Sequence, residues 1–141
     1  MSEKPYDKKA LIQYRMERAH ESLDDARLML AQKGSNASIV NRAYYAMFYA
    51  ALALLITIDK GSSKHQGVIA LFDENFIKTN VLPKELGKLF HRAFDMRQSG
   101  GTCIACYPLR QAAGSREFVK EGGVSPNFWS LTKNSKMGMA C

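Results

Sequence analysis

Arg42, Tyr45 and Tyr49 stand in an otherwise nearly continuous apolar stretch, spaced by three and four residues so that on a helix they share one stripe. A planar guanidinium recognises phosphate and an aromatic face stacks on a base, so the stripe is a candidate site for a nucleotide or for RNA. The same residues also suit a core in which the tyrosine hydroxyls reach a partner and Arg42 closes a buried hydrogen bond. Lys64 and His65 form a second candidate. They follow Gly61-Ser62-Ser63, a turn and N-cap, and free amides at a helix start attract anions. A capping turn with a solvated lysine is the alternative. Cys103 and Cys106 have the spacing of half a zinc site, yet the only other cysteine is Cys141, and no second pair completes four ligands. With no GxGxxG loop and no P-loop either, we expect neither a metal site nor a cofactor.

The elements that must carry these residues are helices. Between Asp7 and Lys33, apolar residues fall at Ile12, Met16, Ala19, Leu23, Ala26 and Leu30, which keeps one helix face apolar. Arg15, Arg18, Glu21 and Asp25 lie opposite as a solvent face, and Gly34 suits a left-handed cap. A second helix starts after Ser35 or Asn36 and runs to Ile58. Because it is apolar nearly all round, neighbours must cover it, and it belongs in the middle of a bundle. Val68, Ile69, Leu71 and Phe72 mark a short third helix that Gly67 weakens, followed by a loop through Asn80. Pro83 fits the first turn of a fourth, with Leu86, Leu89, Phe90, Ala93 and Phe94 facing inward and Arg97 near its end.

Beyond Gly100 the glycines and prolines recur too often for a long helix. The expected organisation is therefore an all-α, up-and-down antiparallel bundle of four to five helices over residues 1–100, with an irregular tail over 101–141. The 141 residues fit one domain. A net charge of +7 and a pI near 9.4 favour anionic partners, although no basic stripe stands out in the sequence. Met1 to Lys9 lacks the apolar stretch of a secretory signal, and Ala43 to Ile58 is shorter than the roughly 20 residues of a membrane span, so a cytoplasmic protein without a membrane partner is expected.

Three runs carry a resemblance. Asn41-Arg42-Ala43-Tyr44-Tyr45-Ala46-Met47-Phe48-Tyr49-Ala50, followed by Ser63-Lys64-His65-Gln66-Gly67-Val68-Ile69 and Leu71-Phe72, is similar to the HEPN domain family. The likeness extends from about Lys8 to Arg97 and takes in the Phe76-Ile77-Lys78-Thr79 segment, Leu82-Pro83 and Ala93-Phe94-Asp95-Met96-Arg97. It implies an up-and-down bundle that often dimerises and is frequently found beside a small nucleotidyltransferase. Some members are metal-independent RNases acting as toxins, while others are non-catalytic binding modules.

The RNase members use an arginine followed by a polar residue, and a histidine four to six positions later. Arg97-Gln98 resembles the start of that element, but Ser99 to Cys103 contains no histidine, and the Asp-Tyr pair of close relatives is absent as well. A change of reading frame near codon 100 would account for this loss and for the end of the helical pattern together. Catalysis would then need Arg97 with a histidine from elsewhere, His91 or His65, to move a proton while the cation stabilises the phosphate. Arg15-x4-His20 has the formal spacing but lies in the first helix, where the family does not place the motif. The leading expectation is a module acting through a partner, a small nucleotidyltransferase or RNA, that dimerises and is not an enzyme by itself. An RNA-cleaving toxin and a nucleotide-binding domain are the alternatives.

Overall fold

A computed structural model describes residues 7–99, which form four α-helices and a π-helical turn, with no strand among the described residues. The sequence-based expectations for the tail, and those for Cys103, Cys106 and Cys141, lie outside the described residues.

Helix α1, Lys8–Ala31, begins where the Asp7 carboxylate accepts from the Ala10 amide at 3.0 Å. Its apolar stripe is buried at Ala19, Leu23 and Ala26. The chain reverses through Lys33, which takes the left-handed conformation (φ 56°) expected of Gly34, whose amide donates to Met29 O at 2.7 Å. Ser35 then caps α2, Asn36–Thr57, by accepting from the Ser38 amide. At the far end the Lys8 ammonium donates to Thr57 O at 3.2 Å and pairs with Asp59 at 3.1 Å. The start of α1 thus meets the end of α2, and the two helices run antiparallel.

Helix α2 has the length and hydropathy of a membrane span, yet eleven of its residues are buried by the rest of the chain, which is the behaviour of a core helix. On one side it meets α1. On another it meets α4, Lys84–Gln98, which buries Leu86, Phe90, Ala93 and Met96. The two chain segments between them, α3 (His65–Phe72) and the π-helical turn Asp73–Ile77, close the remaining side. Tyr44 sits at the centre, fully buried, with the rings of Phe48, Phe90 and Phe94 each within 6.0 Å of its own. A fully buried ring such as Phe90 contributes about 1.5–3 kcal/mol through the apolar surface it withdraws from water, and the half-buried Phe48 and Phe94 contribute less.

The sequence reading placed a loop directly after Phe72. Instead the helix continues for one turn in π register, with Lys78 N donating to Asp73 O at 2.8 Å. The reason is Phe76, which this turn directs into the core against Phe72 at only 1% exposure. Pro83 lies one position earlier than expected, as the extended cap residue before α4 rather than in its first turn.

Candidate functional site

Arg97 lies in the last turn of α4 and reaches across to the first turns of α2. Its Nε donates to Asn41 Oδ1 and its Nη2 to the Tyr45 hydroxyl, both at 3.2 Å. Asn41 and Tyr45 are four positions apart on α2, so one helix face offers both acceptors to one guanidinium. The guanidinium carbon also lies 5.1 Å from the centre of the Tyr44 ring and 5.2 Å from that of Tyr45, within cation–π range. These contacts hold the group half-buried and fix its plane.

His65 approaches the same tyrosine from α3. The Tyr44 hydroxyl and His65 Nδ1 share a hydrogen bond of 2.8 Å, and the imidazole stacks on Phe48 with ring centres 4.4 Å apart. Burial, followed by the nearby Arg97 charge, lowers the His65 pKa below its ordinary value. The imidazole is therefore neutral at pH 7, and Nε2 is the nitrogen left for a ligand. Burial pushes the Tyr44 phenol up to about 12, against the opposing pull of Arg97, so it stays protonated.

Beyond Tyr45 the aromatic surface continues to Tyr49, with ring centres 5.8 Å apart. Helix α1 contributes the next cations. Arg18 and Arg15 place their guanidinium carbons 5.8 and 6.0 Å from the Tyr49 ring centre, and Arg15 lies 5.9 Å from that of Tyr14, which is 52% exposed. Arg15 Nε is buried with no hydrogen-bond partner among the described residues, a donor whose need is unmet. Arg97, Tyr45, Tyr49, Arg18, Arg15 and Tyr14 make one ridge of cations and rings in successive contact. Such a surface suits a single strand whose phosphates meet guanidinium groups while its bases stack on aromatic faces.

The ridge departs from the sequence reading in several ways. Tyr45 and Tyr49 lie on it, but no hydrogen bond or ion pair joins Arg42 to the cluster among the described residues. Arg15 and Arg18, read as part of a solvent face, cover Tyr49 instead. His65 is the histidine gathered with Arg97 around Tyr44, whereas His91 is six positions from Arg97 on α4, about 240° around the helix axis. His91 Nε2 pairs instead with Asp73 Oδ2, because the π-helical turn carries that carboxylate to α4. Lys64 is the exposed cap residue of α3, its amide donating to Ser62 Oγ at 3.2 Å, and Gly67 is needed there because a β-carbon would collide with that serine.

Asn41 and Tyr44 were absent from the sequence-based candidates. Asn41 had a legible signal, since a polar residue within an apolar helix requires a partner. Tyr44 had none beyond its neighbours, for only the packing of α3 and α4 makes it the bridge. Among the described residues, no group of three His, Cys, Asp or Glu gathers closely enough to hold a metal ion.

Comparison with known proteins adds an independent line. The family model of the HEPN domain matches residues 12–118. A UPF0332 protein of Thermotoga maritima is 46% identical over 94 residues, covering 67% of this chain and 70% of the relative. Two proteins of Methanocaldococcus jannaschii, whose names describe candidate toxins, are 45% identical over 60 residues and 33% identical over 86. The first alignment covers 43% of this chain and 41% of the relative, the second 61% and 63%. The chain thus spans less than two thirds of either Methanocaldococcus protein.

Proposed function

The chain belongs to the HEPN domain family, and from that premise we propose that it is an RNA-binding helical module that acts with a partner and does not cleave RNA by itself. The observation carrying this reading is the ridge on which Arg97 packs on Tyr45 and Arg18 and Arg15 pack on the neighbouring Tyr49. It offers phosphate recognition and base stacking side by side, a combination that suits a strand whose bases are unpaired. Two of Arg97's donors are already committed to Asn41 and Tyr45, so the group is set as a fixed cation. The net charge of +7 supports the same class of partner. A second copy of the chain and a small nucleotidyltransferase, both implied by the family resemblance, are the protein partners this reading includes.

One observation favours a second reading, a metal-independent endoribonuclease, which the names of the Methanocaldococcus relatives also suggest. His65 is held neutral beside Arg97, and a neutral imidazole next to a fixed guanidinium is a base paired with an anion stabiliser. The experiment is fluorescence anisotropy with a single-stranded RNA oligomer and the full chain in chelator, with the products run on a gel. Binding that weakens in both Arg97→Ala and Tyr49→Ala, with the RNA intact, supports the module. Binding unaffected by either change overturns it. Cleavage lost in both Arg97→Ala and His65→Ala establishes the nuclease instead.

A further inference from the structure

On the side of α4 turned away from Arg97, the helix and the π-helical turn enclose an open cleft of about 820 Å³. This lies within the roughly 300–1,000 Å³ typical of small-molecule sites. Its cations come from two elements. Lys84, Lys88 and Arg92 recur every four residues along α4, and Lys78 faces them from the end of the π-helical turn. Four basic side chains thus stand against two acidic ones, Asp73 and Asp95. Lys78, Lys84 and Lys88 form no ion pair among the described residues.

Asp73 is already engaged. Its Oδ2 pairs with His91 Nε2, while its Oδ1 is buried and without a hydrogen-bond partner among the described residues. A carboxylate gripping Nε2 fixes the imidazole plane and holds the ring at the edge of the cleft, where it reports on a bound ligand. Gly87 lets α4 approach this wall closely, since a β-carbon there would lie 3.2 Å from Ile77 Cγ1 and 3.3 Å from Asp73 Oδ1. Ile77 and Gly87 thus give the cleft an apolar portion between its charged edges. The uncapped start of α4 adds the positive end of a helix dipole beside Lys84.

From this arrangement we infer that the cleft is a second ligand site, separate from the Arg97 ridge, that takes the phosphate of a small phosphorylated compound. Lys78, Lys84 and Lys88 neutralise the phosphate beside His91, and the volume beyond the phosphate holds the attached organic body against Ile77. A bare inorganic ion occupies only part of such a volume, so the organic body adds affinity.

The three histidines, His20, His65 and His91, provide separate NMR reporters, assigned by replacing each with Gln. Inorganic phosphate titrated into the full chain at constant ionic strength should shift the His91 ring signals to saturation, while chloride should not. Ribose 5-phosphate should saturate at lower concentration than phosphate, and ribose should have no effect. Reversing two cations of the cleft, with Lys84→Glu and Lys88→Glu together, should weaken phosphate binding about tenfold or more. Both lysines are exposed, and unchanged His20 and His65 signals would report an intact fold. A linear, unsaturable response, an equal response to chloride, or saturation unaffected by the double variant would each overturn the proposal. Because the Arg97 ridge has its own reporter in His65, failure here leaves the RNA-binding reading standing, and the converse also holds.

Discussion

Tyr44 and His65, twenty-one positions apart, are joined through phenol oxygen and Nδ1 at 2.8 Å, and this bond ties the most deeply buried aromatic of α2 to the first residue of α3. The hydroxyl is the polar exception in a surrounding of rings, so its removal isolates the imidazole. Tyr44→Phe should cost about 1–3 kcal/mol, the usual range when a buried polar group loses its only protein partner. Urea unfolding of the full chain measures this as a lower midpoint with an unchanged slope.

His65 also sets a pH dependence. Its folded pKa lies below its unfolded value of 6.5, owing to burial and then to Arg97. Between those two values the unfolded chain binds a proton that the folded chain does not. Stability from this group is therefore flat above pH 6.5 and declines as pH falls below it. His65→Gln should flatten the decline. Arg97→Ala, which removes one of its two causes, should reduce it, and unfolding curves recorded between pH 7.5 and 5 test both.

RNA affinity should depend on the faces of the tyrosines more than on their hydroxyls. Tyr49→Ala should cost about 1–3 kcal/mol of binding, the range for loss of one base–aromatic stack, whereas Tyr49→Phe should retain most of the affinity. Arg18→Ala should weaken binding and reduce its salt sensitivity, as loss of one phosphate contact does. Anisotropy titrations at two salt concentrations separate the two effects.

Gly87→Ala sets helix propensity against space. Alanine should favour the helix by about 1 kcal/mol. The new methyl, however, meets Ile77 at two atoms, 3.2 and 3.3 Å away, and the Asp73 carboxylate at 3.3 Å. With Asp73 held by His91, the wall yields little, so a net loss of about 1 kcal/mol is expected from overpacking. In a His91→Ala background the carboxylate can move aside, and thermal melts should show a smaller penalty.

Much of the fold was legible because periodicity reports what each helix must bury. The all-round apolarity of α2 required a central position, and Ser35 marked its start. The site was legible only in part. Spacing shows which residues share a helix face, but not which neighbouring face they will meet. The spacing therefore identifies Tyr45 and Tyr49, while the guanidinium groups that meet them come from Arg97 on α4 and from Arg15 and Arg18 on α1 rather than from Arg42 nearby. Lys84, Lys88 and Arg92 were likewise hidden within a dispersed charge, because Lys78 joins them only through the π-helical turn. That turn has no propensity signature of its own. It exists to serve Phe76, whose burial is decided by the finished core.

A π-helical turn is equivalent to an α-helix carrying one additional residue, so the length of this segment acts as a register setting. Deleting a single residue between Asp73 and Ile77 would restore the α ladder and remove the bulge that turns Phe76 into the core and sets the position of Lys78. Lys78 would shift relative to Asp73 and His91, whereas the junction of Arg97 with Asn41 and Tyr45, set by the packing of α4 on α2, does not pass through that turn. Sequences of this fold that differ by one residue there would keep the Arg97 junction and change the lining of the cleft, which makes the insertion a marker that can be read from an alignment alone.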